Sequence, residues 1–246
     1  MLKCKMENEC GKEPGGRKEE MMMYKTELHL HTSDVSTCAN APLSYVVARY
    51  LKEGYTTLVV TNHLSRFSFT PEHQTWTQKI DHFLTGYTRL AAEAGQQLTV
   101  LLGAELRLNT DENDYLLYGI DEAFLRHHPD LMDYTIKDLS RLCREEQVLL
   151  IQAHPFRDHM QIVNPKLLDG IEIYNGMTNP PARNDMAEAW AARFSMIGTS
   201  GSDFHDAENE VNGGILTAFP VRSNEMLYGI LKSRNFALIR KGDSPY

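Results

Sequence analysis

The sequence predicts an α/β fold built on a mainly parallel sheet, either closed as a barrel or doubly wound. Short apolar strands alternate with helices from Tyr24 onwards, and such alternation is typical of parallel sheets. The 246 residues suit one large domain, whose core needs no disulfide bonds. Polar residues of metal-binding type follow several of the predicted strands.

The first half of the chain alternates between strands and helices with the expected start and stop signals. Pro42 suits the first turn of a helix, and Gly54 and Gly95 suit helix ends. The predicted elements are the strand YKTELHL (24–30), a helix between Pro42 and Gly54, the strand TTLVVTNH (56–63), a helix from Trp76 to Gly95, and the strands LTVLLGAEL (98–106) and DYLLYGI (114–120).

The second half continues the same alternation. The predicted elements are a helix entered through TIKD (135–138), the strands QVLLIQAH (147–154) and GIEIYNG (170–176), a helix marked by Met186, Ala189, Trp190 and Phe194, the segment SMIGTSGSDFH (195–205), the strand GGILTAFP (213–220), a helix marked by Met226, Leu227, Ile230 and Leu231, and the strand NFALIR (235–240). No GxGxxG or P-loop fingerprint for phosphate binding occurs.

Composition limits the domain organisation and the classes of partner. Residues 1–22 are predicted to be a polar disordered tail, and residues 23–246 a single domain. The net charge of −8 argues against broad binding to nucleic acid or to acidic membranes. No apolar run is long enough for a membrane span or a signal peptide, so we expect a cytoplasmic protein. The four cysteines, which show no CxxC pattern, are expected to be reduced: Cys4, Cys10, Cys38 and Cys143.

Two histidines occupy alternate positions of the first predicted strand. His29 and His31 therefore point to one face, while Leu28 and Leu30 point to the core on the other. Two imidazoles on one face are an expensive choice for a plain surface but a useful one for binding a metal ion.

Further candidate ligands follow the other strands. In a parallel barrel the carboxyl ends of all strands open onto one face, so residues distant in sequence converge there. Each residue alone has an ordinary structural explanation, but burying all of them together without cations would be costly. The mixed set suits two or three ions of zinc, manganese or iron. These candidates are His29, His31, His63, Glu105, His154, Asp203 and His205.

Five motifs resemble those of one protein family. HLHT, TNH, GAEL, AHP and GSDFH occur in this order after alternating strands, between Tyr24 and about Arg240. This combination resembles the PHP (polymerase and histidinol phosphatase) family. The resemblance implies a distorted (β/α)7 barrel, similar to a TIM barrel, that holds up to three metal ions and hydrolyses phosphoesters.

The resemblance also implies a distribution of ligands. His63 and His205 would hold a second ion with help from the loop after His31, and Glu105 would bridge to a third ion that also binds His154. The first ion would take His29, His31, Glu105 and Asp203.

Two segments depart from the family pattern. The loop HTSDVSTCAN lacks the usual SDG or further histidine, and NDYLLYG offers Asn113 and Asp114 where a histidine is common. Two neutral imidazoles leave a divalent ion short of ligands, so Asp34 is predicted to supply a carboxylate. Two alternatives remain open: Asp34 caps a turn near Ser36, or Cys38 supplies a thiolate.

Hydrolysis by a metal-activated water is the predicted reaction, with Glu105, Asp203 and Arg157 as catalytic residues. Arg157 would bind a phosphate oxygen, although a salt bridge with Asp158 or another acid explains it equally well. Arg107 is a weaker candidate for phosphate binding. His159 and Asp206 are either orienting residues or loop residues, and the remaining histidines are interpreted as structural or surface residues: His73, His82, His127 and His128.

Three functions are compatible with the sequence. The favoured one is a phosphatase acting on a small phosphorylated metabolite or nucleotide, without a stable nucleic-acid complex or a membrane partner. A nuclease or phosphodiesterase acting on short oligonucleotides would need a basic groove, yet lysine and arginine are scattered here. The third is a metal-binding module without catalytic activity. A Ser-His-Asp hydrolase is disfavoured because the sequence has no GxSxG motif.

Overall fold

Residues 23–241 are described by the computed structural model, and the predicted tail, residues 1–22, lies outside them. The predicted α/β class is confirmed. The strands are β1 (Tyr24–Leu30), β2 (Tyr55–Val60), β3 (His63–Leu64), β4 (Thr99–Leu102), β5 (Ala104–Arg107), β6 (Asp114–Tyr118), β7 (Leu149–Gln152), β8 (Gly170–Asn175), β9 (Ile197–Gly201), β10 (Ile215–Thr217) and β11 (Ala237–Leu238). The helices are α1 (Leu43–Lys52), α2 (Trp76–Ala94), α3 (Glu122–His127), α4 (Ile136–Glu145), α5 (Asn184–Phe194) and α6 (Asn224–Ser233).

The strands form two mixed sheets, with the orders β11-β10-β1-β2-β4 and β3-β5-β6-β7-β8-β9. β6 is antiparallel to β5 and β7, and β10 is antiparallel to β1 and β11. The other neighbouring pairs are parallel. The strands are therefore mainly parallel, as predicted, because only β10 in the first sheet and β6 in the second run against the other strands. Residues 108–113, which connect β5 to β6, are too few for the crossover helix that a parallel pair requires.

The segment predicted as one strand over residues 98–106 is in fact two strands in different sheets. Gly103 alone separates β4 from β5, and its N–H donates to the carbonyl of Val60 (2.9 Å). A Cβ atom at Gly103 would lie 2.9 Å from Val59 Cγ1 and 3.2 Å from the carbonyl oxygen of Leu117. Only glycine fits this close approach, so Gly103 lets the chain cross from one sheet to the other and carry Glu105 with it.

The two sheets also meet beyond the end of β9. Phe204 N–H donates to the carbonyl of His29 (3.3 Å), and His31 N–H donates to the carbonyl of Phe204 (3.0 Å). These bonds form a parallel bridge between Leu30 and Phe204, both fully buried. We call this contact the β1–β9 seam. It places the carboxyl ends of the first and last parallel strands side by side.

Helices pack against the strands of both sheets. The long helix α2 begins at a capping box between Thr75 and Gln78 and ends at Gly95, whose φ of 56° is left-handed. Its buried side chains include Ile80 and Phe83. No helix in the described part of the chain is long and apolar enough to cross a membrane.

The apolar stripe predicted for α5 is displaced from the true contact face. Ala187 and Ala191 are buried against Ile171 and Ile173 of β8, whereas Met186 and Phe194, two of the predicted markers, are exposed. Trp190 is partly buried beside the same cluster. Small alanine side chains let the helix approach the strand closely, and the large apolar residues lie beside that contact.

Candidate metal centre

Seven predicted ligands converge at the carboxyl ends of the strands around one carboxylate. Glu105 is fully buried, and its Oε1 lies 2.9 Å from His154 Nε2. Its Oε2 lies 2.8 Å from His63 Nδ1 and 3.3 Å from His31 Nε2 but takes part in no hydrogen bond. Burial opposes ionisation, yet His63 and His29 hold the pKa of Glu105 well below its usual range. Glu105 is therefore an ionised buried carboxylate facing several imidazoles.

The histidines of β1 are both buried rather than exposed on a surface. Their Nε2 atoms lie 3.1 Å apart, and Asp203 Oδ1 is 3.3 Å from each of them. Burial opposes protonation of His29, but Asp203 and Glu172 raise its pKa well above the usual value. Burial and the neighbouring His205 lower the pKa of His31 well below it. Two ring nitrogens and a carboxylate oxygen thus point at one small volume, as ligands of a common ion do.

A second set of imidazoles surrounds His31. The ring of His205 stacks on that of His31 with a centroid distance of 4.1 Å, and the ring of His63 lies 4.4 Å away. His205 donates from Nδ1 to the carbonyl of Asp203 (2.9 Å), which leaves its Nε2 free to bind an ion. Burial raises the pKa of the Cys38 thiol, but His205 and His63 outweigh burial and bring that pKa down to about 6.

A third set lies on the opposite side of Glu105. Asp114 Oδ2 lies 4.0 Å from His154 Nε2, and Arg107 donates to both oxygens of Asp114, at 2.6 Å from Nε to Oδ1. Asn113 faces elsewhere, because its side-chain oxygen accepts from Gln152 and Gln161. Of the two residues at the family's missing histidine, Asp114 is therefore the one near the centre.

The donor set fits the divalent ions that the family resemblance implies. Four overlapping triplets of side chains each offer ligand atoms within 4.8 Å of one another. This region also contains two buried side-chain atoms that form no hydrogen bond, Glu105 Oε2 and His154 Nδ1. A cluster of imidazoles and carboxylates suits zinc, manganese or iron. The triplets are His31–His63–His205, His29–His154–Asp203, His29–His31–Glu105 and Glu105–Asp114–His154.

Backbone strain marks two of these ligands. His154 has a φ of 26° and Asp203 a φ of 52°, both in the left-handed region that non-glycine residues seldom adopt. Both residues lie two positions beyond the end of a strand, β7 for His154 and β9 for Asp203. Strain of this kind persists only where the surrounding structure fixes it, and here it turns both side chains into the cluster.

Comparisons with known proteins identify the fold. No protein-family model and no curated protein matches the sequence. PsfC from Pseudomonas syringae has a similar structure, with a TM-score of 0.66 and 17% identity over 92% of this chain and 94% of that one. A two-domain protein from Bacteroides vulgatus containing a predicted PHP-like metal-dependent phosphoesterase gives 0.57 and 15%, over 92% and 70%. The chain has a PHP-like fold.

Another neighbour with this fold is a nuclease. PfuEndoQ, a lesion-specific endonuclease from Pyrococcus furiosus, superposes with a TM-score of 0.56 at 15% identity, over 88% of this chain and 58% of that one. Identities this low establish the PHP-like fold alone. The resemblance predicted from the five motifs is thereby confirmed at the level of the fold.

Arg157 lies at the centre in a salt bridge with an acid other than Asp158, one of the alternatives left open by the sequence. It donates from Nη2 to Asp203 Oδ2 (2.6 Å) and to Asn175 Oδ1 (2.8 Å), while its Nε is buried without a hydrogen bond. Asp158, the acid predicted as its alternative partner, pairs with Arg183 instead. Arg157 therefore braces a candidate ligand, and its use as a phosphate contact stays a prediction.

Asp34 belongs to none of the four triplets. Its carboxylate forms a salt bridge with Arg89 of α2, and the N–H of Ser36 donates to the carbonyl of Thr32 rather than to Asp34. The described contacts thus include neither the predicted ligation nor the predicted turn cap.

The remaining histidines and acids lie around the centre or far from it. His159 is exposed, and Asp206 is partly buried on the wall of a cavity of about 380 Å³ that is also lined by the candidate ligands His63 and Glu105. His73 and His82 stack on each other, with ring centroids 4.4 Å apart. His128 lies 3.8 Å from Glu146, and His127 is the last residue of α3.

Two acidic residues that form hydrogen bonds with the centre were not predicted from the sequence. Glu172 accepts from His29 Nδ1 (2.9 Å) and from His154 N–H (3.0 Å). Glu27 accepts from the N–H groups of His29 and Ser202 at 2.9 Å, and burial raises its pKa to about 7. A carboxylate next to buried apolar residues of a predicted strand could have indicated both of them. Glu27 precedes Leu28, and Glu172 lies between Ile171 and Ile173.

Proposed function

We propose that this protein is a metal-dependent phosphoesterase that hydrolyses a small phosphorylated metabolite or nucleotide. The convergence of the six other strand-end candidates on the buried, ionised Glu105 is the observation that supports it. A cluster of five histidines and two further carboxylates beside Glu105 suits two or three cations, and cations explain why these groups can share a buried site. The same convergence makes a Ser-His-Asp arrangement unnecessary.

We further propose that the two sheets together form the distorted (β/α)7 barrel implied by the family resemblance. The β1–β9 seam supports closure at one side, and the passages from β2 to β3 and from β4 to β5 support it at the other. A buried cluster that contains Leu28 and Val59 of the first sheet together with Leu116 and Ile151 of the second supports a shared interior.

The proposed ligands divide among three positions. His29 and His31 would hold one ion with Asp203, His63 and His205 would hold a second, and His154 and Asp114 would hold the last. Glu105, which lies within 3.5 Å of four of these histidines, would supply a shared carboxylate. When bound, such ions activate a water molecule and neutralise phosphoryl oxygens.

The chain's own groups prepare this chemistry. Asp203 and Glu105 remain ionised at neutral pH, since neighbouring cationic groups hold the pKa of each well below its usual range. Arg157 fixes Asp203 with one amino group, and its remaining N–H donors can meet an anionic substrate on the same cavity wall.

The cavity limits the size of the substrate. Its volume of about 380 Å³ is within the range of small-molecule sites, and its wall combines Arg107 and Arg157 with the apolar side chains of Met160, Met177 and Pro180. This composition suits a phosphate group attached to a small organic portion.

A second candidate, a nuclease or phosphodiesterase acting on short oligonucleotides, is favoured by one surface beside the cavity. The ring of Phe67 is 63% exposed, and the Arg66 guanidinium lies 4.6 Å from its centroid. Arg107 lines both this surface and the cavity. Exposed aromatic rings next to arginine stack on bases, and the PHP-like fold also occurs in PfuEndoQ.

A substrate screen tests both proposals. The metal-free protein is reconstituted separately with manganese, zinc and iron, its metal content is measured, and phosphorylated metabolites, mononucleotides and short oligonucleotides are offered. We expect more than one metal equivalent per chain and metal-dependent release of phosphate from a small substrate.

The outcomes separate the alternatives. Internal cleavage of oligonucleotides, weakened by Phe67→Ala, would favour the nuclease. Metal binding without turnover of any substrate would indicate a module without catalytic activity. A stoichiometry that never exceeds one ion would contradict the cluster.

A further inference from the structure

Cys38 lies in the loop between β1 and α1, on the wall of the candidate metal centre. Cys38 is exposed to solvent, yet it lines the same cavity as His63, Glu105 and His205. The mechanism proposed above makes no use of this residue on the cavity wall.

The two histidines beside Cys38 lack an anionic partner from their own loop. Zinc takes four ligands in most sites, and two imidazoles supply only half of that number. Residues 32–41 contain only two side chains of ligand type, Asp34 and Cys38. Asp34 is paired with Arg89, so Cys38 is the side chain of this loop that lines the cavity together with His63 and His205.

The loop holds Cys38 in this place from both sides. Before it, Ser36 N–H donates to the carbonyl of Thr32 (3.0 Å), and the Ser36 hydroxyl lies 3.2 Å from His31 Nδ1. After it, the N–H groups of Asn40 and Ala41 donate to the carbonyl of His205 at 3.0 and 3.2 Å. The Ser36 hydroxyl also accepts from the N–H of His63 (3.1 Å), so the backbone around the thiol is anchored to both His63 and His205.

A second, independent observation points to a cation at this position. Glu105 is fully buried, and its Oε2, which lies 2.8 Å from His63 Nδ1, has no hydrogen-bond partner among the described residues. A buried carboxylate oxygen left without a donor costs free energy unless a cation occupies the space in front of it.

We propose that Cys38 supplies a thiolate ligand to the ion held by His63 and His205. The proposal rests on the metal dependence argued under the proposed function. The S–H bond breaks as the metal–sulfur bond forms, and the proton leaves to solvent. A thiolate favours zinc or iron over the harder magnesium and manganese ions at this position. It also makes this position of the centre sensitive to thiol oxidation.

Cobalt(II) substitution tests the ligand directly. The metal-free protein is loaded with Co²⁺, and its absorption is recorded in the near ultraviolet, where thiolate-to-cobalt charge transfer appears. We expect this band in the wild type and in two controls, Cys143→Ala, whose thiol is buried in the apolar core beside α4, and Asp34→Asn. Cys38→Ser and Cys38→Ala should lose the band and bind about one ion fewer per chain or bind it at least 10-fold more weakly.

A second measurement guards against misfolded variants. On a background in which Cys4, Cys10 and Cys143 are replaced, labelling of Cys38 by a thiol reagent should be blocked by Zn²⁺ and restored by a chelator. A wild-type protein that binds cobalt without the charge-transfer band would overturn the proposal. So would loss of the ion in Asp34→Asn with its retention in Cys38→Ser. The band in a protein without phosphoesterase activity would refute the proposed function alone.

Discussion

Replacement of Glu172 by glutamine is the sharpest test of how this centre is held together. The Glu172 carboxylate accepts from three donors: His29 Nδ1 (2.9 Å), the N–H of His154 (3.0 Å) and Asn175 Nδ2 (2.9 Å). Because Glu172 accepts a hydrogen bond from Nδ1–H of His29, the proton of the neutral ring stays on Nδ1. The lone pair of Nε2 is then directed at the metal position. Glu172 thus sets both the tautomer and the orientation of the ring.

Glu172→Gln keeps the shape of the side chain but removes this arrangement. Because all three neighbours are donors, the amide NH₂ must face at least one of them, and at least one charge-assisted hydrogen bond is lost. Such a bond contributes about 1.5–3 kcal/mol. Loss of an orienting partner typically weakens metal affinity by about 10–100-fold, which corresponds to about 1.4–2.7 kcal/mol.

Competition between the protein and a chromophoric chelator for Zn²⁺ measures the affinity. Glu210→Gln is a matched control, because Glu210 is exposed and pairs with Lys241 at the surface. Urea unfolding of the metal-free proteins shows whether the fold itself is weakened. A Glu172→Gln protein that binds zinc as tightly as the wild type would refute the argument that Glu172 orients His29.

Three further outcomes follow from the same structure. His29→Ala or Asp203→Ala should abolish phosphoesterase activity while the circular dichroism spectrum is retained; activity comparable to the wild type would refute the ligand assignment. Arg157→Ala should mainly raise KM for a phosphorylated substrate, since it removes a contact common to ground and transition states. An unchanged KM would mean that Arg157 does not contact the substrate and serves only to hold Asp203. Phe83→Ala, at a ring only 1% exposed, should lower the free energy of unfolding by about 3–5 kcal/mol in urea titrations. Phe194→Ala, at a ring 42% exposed, should cost less.

The candidate ligands could be predicted because their signals are local. Alternation along β1 puts His29 and His31 on one face, and this depends only on strand geometry. His63, Glu105 and His154 each follow an apolar strand, and parallel strands bring such ends together. The structure places all of them within one cluster, as expected.

Features that depend on distant pairing could not be read in this way. The apolar run over residues 98–106 gives no local sign that Gly103 separates two sheets, because the close approach comes from Val59 and Leu117. The bond between Arg157 and Asp203 joins two strand-end loops, and the salt bridge of Asp34 joins a loop to α2. Each partner is chosen by tertiary packing rather than by neighbours in sequence.

The β1–β9 seam has a consequence for the order in which the protein matures. During synthesis the chain emerges from its N-terminal end, so His29 and His31 are exposed to the cell long before Asp203 and His205 exist. Until Phe204 bonds to β1, the early histidines lack Asp203, which lies 3.3 Å from each of them in the folded chain, and the ligand set of an ion held there is incomplete. Stable metal uptake is therefore expected to be confined to finished chains, and an early ion would have to be exchanged as the seam closes.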